Sequence, residues 1–323
     1  MIRTCLAVWT TLGVLGLFGS AAAQDYPNRP VRIVVPYPAG GTIDAVARLV
    51  GHKLYESFKQ PVIVENRPGA SGNIGADVVA KSAPDGYTIL LATNGQASTP
   101  AVFRKLPYDA EKDLIPVTQL NSSTLVLVAH PKLPARSVPE LATLAKSKPG
   151  SLNYGSTGVG NPLHLTMEML KRKAGMDIVM VPFRGDAPLM TALIGNEVQL
   201  AVSPVPAAQP HIQSGALRAL GLTRARRTPA LPDVPTIAEQ GFPDFDTASW
   251  HGFFVPAGTP EEIIVRIYLE TRKALEAPDV RERLLSLGAE PVATSPSEFS
   301  ALFKADMEKF GQVVKEAGIP LQD

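Results

Sequence analysis

Two hydrophobic rhythms alternate along the chain. Short β-branched runs at 31–37 (VRIVVPY), 61–67 (PVIVENR) and 87–93 (YTILLAT) have the length and make-up of strands. Between the first two, Ile43, Val46, Ala47, Val50, Leu54 and Phe58 recur at helical spacing, and 72–82 predicts a second helix. That order, βαβαβ, is the mark of a parallel sheet with helices on both faces.

The rhythm changes at 115–129, IPVTQLNSSTLVLVA, which is strand-like with a polar break at 121–124. A second series of units follows: helix 137–147, a strand near 152–154, helix 162–174, strand 177–183, helix 187–194, strand 198–203 and strand 217–223 (LRALGLT). A proline-rich stretch, RTPALPDVPTIAEQG, then leads to the strand-like 249–256 (SWHGFFVP) and two long helices over 260–276 and 296–317. The expectation is an α/β chain of two lobes, each a mostly parallel sheet flanked by helices, with crossovers near 115–128 and 217–224. Lobe 1 would comprise 24–121 and 224–323, and lobe 2 would comprise 122–223.

The first residues stand apart. Arg3 precedes an apolar stretch from Cys5 to Phe18, and Ala21, Ala22 and Ala23 precede Gln24, the three-part form of a secretory signal cleaved near Ala23. The apolar stretch falls short of the roughly 20 residues that a membrane span needs. Cleavage leaves 323 − 23 = 300 residues without cysteine, since Cys5 is the only one. It also removes Arg3, leaving 31 − 1 = 30 basic against 30 acidic residues. With no basic excess, nucleic-acid binding is not expected. The expected setting is outside the cytoplasm, in the periplasm of a bacterial cell plan, for a protein that relies on its core rather than on disulfides.

Candidate chemistry lies in glycine turns at strand ends, where open parallel sheets bind ligands. In PYPAGGTIDAVAR (36–48), Gly40 and Gly41 allow close backbone approach and Thr42 is placed to cap a helix whose first amides and dipole favour an anion. A plain tight turn is the competing reading. Asp44 in the first helical turn would repel an anion unless Arg48, four residues on, draws its carboxylate aside. No lysine follows the glycines, so a nucleotide-phosphate loop does not fit. NYGSTGVGNPLHLTMEML (153–170) offers Gly155, Gly158 and Gly160 with Ser156 and Thr157, then Asn161 and Pro162 as cap and first helical residue. Read as a dinucleotide loop it fails, because Asp177 opens the next strand instead of closing it. In VPFRGDAPLM (181–190), Arg184 could meet a carboxylate or simply stand at a solvated rim, and Asp186 is the expected cap. The five histidines, His52, His130, His164, His211 and His251, show no metal-ligand spacing, and no G-x-S-x-G elbow is present. Ser156 with His164 is a weak nucleophile–base pair, since His164 falls in the following helix. Neither catalytic residue, metal nor cofactor is expected.

These motifs together resemble the extracytoplasmic solute receptors of the tripartite tricarboxylate transporter family, the Bug receptors. The matching segments are PYPAGGTIDAVAR, VENRPGASGNIGA (64–76), PDGYTILL (84–91), NYGSTGVGNPLHL, VPFRGDAPLMTALIGNEV, LRALGLT and SWHGFFVPAGTP (249–260), in family order from Tyr26 to Ile319. The resemblance implies a two-lobed periplasmic binding protein, type II-like, that closes on a small organic acid. It implies a monomer that delivers cargo to a permease of one large and one small subunit. Family ligands are held by backbone amides and hydroxyls of two facing loops, with ordered waters bridging to the pocket. The positions matching those loops are Tyr37, Pro38, Ala39, Gly40, Gly41 and Thr42 in one lobe and Ser156, Thr157 and Gly158 in the other. Asn94 and Ser98 match a bordering loop, while Phe183, Arg184 and Gly185, and more loosely Trp250, match the rim. Where the family often has an acid, Ser203 stands here, which favours simple carboxylic acids over amino acids. Two alternatives stay open from sequence: a receptor that shows its closed form to a sensor kinase, and a secreted hydrolase or nucleotide-dependent enzyme.

Overall fold

The computed structural model describes residues 26–183 and 185–323; the expected signal segment and Arg184 lie outside the described residues. The first lobe is built from β1 (Val31–Val35), α1 (Thr42–Phe58), β2 (Val62–Asn66), α2 (Asn73–Ala80), β3 (Thr88–Thr93), α3 (Gly95–Val102) and β4 (Leu114–Ser123). The second holds β5 (Leu125–Ala129), α4 (Val138–Ser147), β6 (Asn153–Ser156), α5 (Pro162–Ala174), β7 (Val179–Pro182), α6 (Asp186–Ile194), β8 (Leu200–Pro204), α7 (Val205–Gln213) and β9 (Arg218–Leu222). The chain then returns to the first lobe with β10 (Ser249–Pro256), α8 (Glu261–Glu276), α9 (Pro278–Ser286), β11 (Glu290–Pro291) and α10 (Pro296–Glu316).

The first sheet has the order β11-β4-β10-β3-β1-β2 and the second β7-β6-β8-β5-β9. Each is mixed rather than mostly parallel. The βαβ units give the parallel pairs β1 with β2 and β3, and β6 with β7 and β8. The strands at and beside the crossovers give four of the antiparallel pairs, β10 with β3 and β4, and β5 with β8 and β9; the short β11 adds a fifth, with β4. A strand entering from the other lobe arrives at the junction end of its new sheet, opposite to strands that start at the far end, so it pairs antiparallel.

Thr124 alone separates β4 from β5, so the first crossing is almost one continuous strand. Packing moves the second crossing later than the 217–224 expectation. The proline-rich segment carries Ile237 and Phe245 into the second lobe's core with Tyr154, Met167 and Leu220, and the chain leaves that lobe only as β10 begins.

Each sheet buries both faces. On the first, α1, α8 and α9 cover Ile33, Val35, Leu91 and Phe253, while α2, α3 and α10 cover Val34, Leu90 and Phe254. That second core also takes Leu165 from α5, so a helix of one lobe is seated on the other.

Candidate functional site

β1 leads into Pro36 and Tyr37, and the backbone turns through Gly40 at φ +87°, a conformation that disfavours a side chain. Gly41 is the N-cap of α1 and has no side-chain acceptor; Thr42 is the first helical residue, not the cap. A helix start leaves its first amides without intrahelical partners. Here the amides of Gly41, Thr42 and Ile43 have no partner among the described residues, and the loop from Pro38 to Thr42 is exposed.

Asp44, 4 % exposed, is turned away from those amides. Its carboxylate accepts Arg48 Nε and Nη2, Asn66 Nδ2 and the Gly40 amide, each at 3.0 Å. The bonds from Arg48, with those from Gly40 and Asn66, hold its pKa below the ordinary value despite burial. The pairing with Arg48 thus forms as the i,i+4 spacing implies. One amide of the expected cradle is therefore engaged: Gly40 donates inside the turn, and the free donors begin at Gly41.

The opposite turn follows β6. Asn161 caps α5 by accepting the His164 amide at 2.8 Å, and Pro162 is the first helical residue, as the local sequence predicts. Asn161 also donates to Thr157 Oγ1 at 2.9 Å. His164 Nδ1 accepts the Gly160 amide at 2.8 Å. Burial pushes its imidazole down to about 4, so the neutral ring braces the turn rather than serving Ser156 as a base. Ser156 is 1 % exposed with its hydroxyl 3.3 Å from the Gly158 carbonyl. The amides of Thr157, Gly158 and Val159 have no partner among the described residues.

These turns meet at the start of α3. A Cβ on Gly95 would lie 3.5 Å from Tyr37 Oη and 3.6 Å from Pro162 Cδ, which brings first-lobe tyrosine and second-lobe helix to the same glycine. Tyr37 Oη is 3.0 Å from Thr93 Oγ1. Asn94 and Ser98 are at this junction but face inward. Asn94 Nδ2 donates to the Ala248 carbonyl and its Oδ1 accepts from Ser249 Oγ, while Ser98 Oγ is 2.8 Å from the carbonyls of Gly95 and Gly160.

Of the other expected site residues, Phe183 is half-buried and packs over Gly155, and Gly185 rather than Asp186 caps α6. Ser203 is 5 % exposed, its hydroxyl 3.3 Å from the Pro204 carbonyl. Trp250 is not at a rim. It is 3 % exposed in the first lobe's core, where its indole donates to Asp306 Oδ2 at 2.7 Å.

Asn121, which opens the polar break at 121–124, and His251, one of the five histidines, are not among the residues expected at the site; they lie side by side on β4 and β10 at the same junction end. Their only signal is polarity inside otherwise apolar strands. A separate open groove of about 630 Å³, lined by Phe103, Arg104, Tyr108 and Met307, contains none of the turn residues. Among the described residues no group of three His, Cys, Asp or Glu could hold a metal ion, and no helix is long and apolar enough to cross a membrane.

Comparison with known proteins adds the following. A family model described as the tripartite tricarboxylate transporter family receptor matches residues 46–319. The R. palustris protein Rpa4515, solved with adipate, is 36 % identical over 92 % of this chain and all of that one, with a TM-score of 0.82. The periplasmic binding protein BugD is 32 % identical over 92 % and 100 %, with a TM-score of 0.80. MatC (Rpa3494) from Rhodopseudomonas palustris, solved with malate, is 34 % identical over 90 % and 100 %, with a TM-score of 0.79.

Proposed function

The chain belongs to the tripartite tricarboxylate transporter family of receptors, and on that premise we propose that it captures one small organic carboxylate between its lobes and delivers it unaltered to a membrane permease with one large and one small subunit. It works in the periplasm as a monomer after loss of the segment that ends near Ala23. The observation that carries this reading is the pair of free amide sets, Gly41, Thr42 and Ile43 on one lobe and Thr157, Gly158 and Val159 on the other. Peptide N–H groups at a helix start attract an anion without needing a cation. Tyr37, Pro38, Ala39 and Phe183 supply the apolar and aromatic walls, and Ser203 leaves an amino group without a counter-charge, so simple carboxylic acids are favoured. The adipate and malate bound by Rpa4515 and MatC are ligands of this kind.

Both sets of donors must engage one ligand for closure to be favoured, because a ligand shifts the equilibrium only through contacts that the open form lacks. A thermal-shift screen of small carboxylic acids tests the proposal. A true ligand at about 100 times its Kd adds roughly 2.7 kcal/mol to the folded state. Chemical turnover of any acid in the screen, or a screen in which only amines or sugars stabilise the protein, would overturn it.

A further inference from the structure

We propose that Asn121 and His251 form a subsite in the floor of the junction that takes a hydroxyl group of the bound acid, so that hydroxycarboxylates are the preferred substrates. This rests on the carboxylate-receptor reading above and makes it more specific.

The first sheet ends toward the second lobe in a row of polar side chains. On the face covered by α1, the sequence of core positions Val31, Ile33, Val35 continues to Tyr37, and Ile89, Leu91 continues to Thr93. On β10, Val255 and Phe253 lead back to His251, which is in register with Thr93 on one side and Asn121 on the other. All four of these strands terminate or start within two residues of this row, and only three residues separate Asn121 from β5 of the second lobe. The row therefore stands where the two lobes meet.

Half of the row is satisfied internally. Tyr37 and Thr93 hydroxyls bond each other, and Thr93 Oγ1 also accepts the Gly95 amide at 3.0 Å. The other half is not. Asn121 is fully buried, His251 is 7 % exposed, and Asn121 Nδ2, Asn121 Oδ1 and His251 Nδ1 are all buried without a partner among the described residues. Asn121 is the ladder partner of His251, beside a register shift between His251 and Gly252. Opposed side chains on antiparallel neighbours have their Cβ atoms about 5 Å apart, so these atoms lie in one small region. Buried polar groups are almost always paired, and three orphans together mark a place for a polar guest.

The chemistry of the orphans selects the guest. An amide N–H donates, an amide oxygen accepts, and the imidazole, pushed down to about 4 by burial, is neutral near pH 7. A carboxylate would set its charge against the Asn121 oxygen, and an ammonium would meet the amide donor, while neither Asn121 nor the neutral imidazole supplies a counter-charge. A hydroxyl both donates and accepts, so it suits the set. Sites built to bond a hydroxyl reject the analogue that lacks it, because their own polar groups are then left unpaired.

The test is calorimetry on the full chain after signal removal, with matched acids: succinate and malate, glutarate and 2-hydroxyglutarate, butyrate and 3-hydroxybutyrate. In the best-binding pair, the hydroxy acid should bind about tenfold more tightly, the size of one good hydrogen bond. Asn121→Leu should bring that ratio to within about twofold, leave the plain acid within about threefold of wild type and raise the melting temperature of the free protein. His251→Phe gives the same ratio measurement should Asn121→Leu fail to fold. Equal affinities within every pair, or a preference that survives both substitutions, would overturn the subsite while leaving the carboxylate receptor standing. Binding of none of the six acids would also overturn it, and the wider acid screen would then judge the receptor reading separately.

Discussion

Ser98 of the first lobe and Gly160 of the second are linked by a hydrogen bond from hydroxyl to carbonyl of 2.8 Å. Gly160 in turn donates its amide to His164 Nδ1 at 2.8 Å, so the start of α3 is tied through one glycine to the first turn of α5. Farther along α5, Leu165 enters the first lobe's core and Arg172 pairs with Glu316 of α10 at 2.8 Å. The second-lobe turn is therefore held against the first lobe by contacts that do not involve the free amides.

Removing that link should weaken ligand capture without abolishing it. Ser98 is 2 % exposed and directs its hydroxyl at protein carbonyls, so Ser98→Ala deletes an interlobe bond and no ligand contact. One neutral hydrogen bond contributes about 0.5–1.5 kcal/mol, or roughly 2- to 12-fold in Kd. Calorimetry with an acid found by screening should show a loss of that size. A loss beyond a hundredfold would mean that the hydroxyl touches the ligand.

The two glycine turns should respond to substitution in opposite ways. Gly41 has φ −82° and a Cβ there would meet nothing nearer than the Pro38 carbonyl at 4.0 Å. Gly41→Val should therefore fold normally and lose most ligand affinity, because the side chain stands among the free amides. Gly155 is closely packed: its Cβ would come 2.1 Å from Leu189 Cδ1 and 3.1 Å from Phe183 Cε2. Gly155→Ala should lower stability by about 1–3 kcal/mol through overpacking. Denaturant unfolding and calorimetry on both variants check the contrast.

How far the sequence reaches is shown by particular residues. The helical spacing of Ile43, Val46, Val50 and Leu54 marks α1, and the Asn161–Pro162 pair marks the start of α5, since both signals are local. Helices α3 and α7 leave no such trace. Pro100 interrupts the first and Pro210 the second, and tertiary packing holds what local propensity does not. Nor does local sequence tell that the proline-rich segment packs on the second lobe, because Ile237 and Phe245 find their core through residues far along the chain. At the candidate site, glycine spacing points to both turns. It does not show that Asp44 takes the Gly40 amide, that Ser98 and Asn94 face inward, or that Asn121 and His251 share one corner, because each depends on pairings between distant strands or turns.

Asp44 should matter for stability more than an exposed helix acid does. It is buried and bonded to Arg48, Asn66 and Gly40, so Asp44→Ala leaves Asn66 and the Gly40 amide short of an acceptor. Hydrogen bonds to a charged group each contribute about 1.5–3 kcal/mol, and a loss of that order is expected for the variant. Its folded pKa lies below the ordinary 3.8, so the stabilisation is complete above 3.8 and fades as pH falls through the lower folded value. Urea unfolding should show the gap between wild type and Asp44→Ala wide at pH 6 and narrowing below pH 3.8. A gap that is constant with pH would mean that charge plays no part.

A second pH effect should appear at higher pH, from the buried imidazoles. Burial holds His164 and His251 at about 4, against 6.5 for an exposed histidine. Each ring is therefore neutral in the folded chain while the unfolded chain takes up a proton, so their stabilisation is complete above 6.5 and lost as pH falls from 6.5 toward 4. The slope is at most about 1.4 kcal/mol per pH unit for each ring. Urea unfolding of wild type at pH 7 and pH 5 should show a clear drop, reduced in both His164→Gln and His251→Phe. His164 carries an added consequence for binding. Its protonation in the folded chain removes the acceptor for the Gly160 amide, so the turn that bears Thr157, Gly158 and Val159 loosens and ligand affinity should hold down to pH 5 and decline only as pH nears about 4. Stability that stays level from pH 7 to pH 4.5, or affinity that already falls between pH 6.5 and pH 5, would show that His164 does not stay neutral in the folded chain.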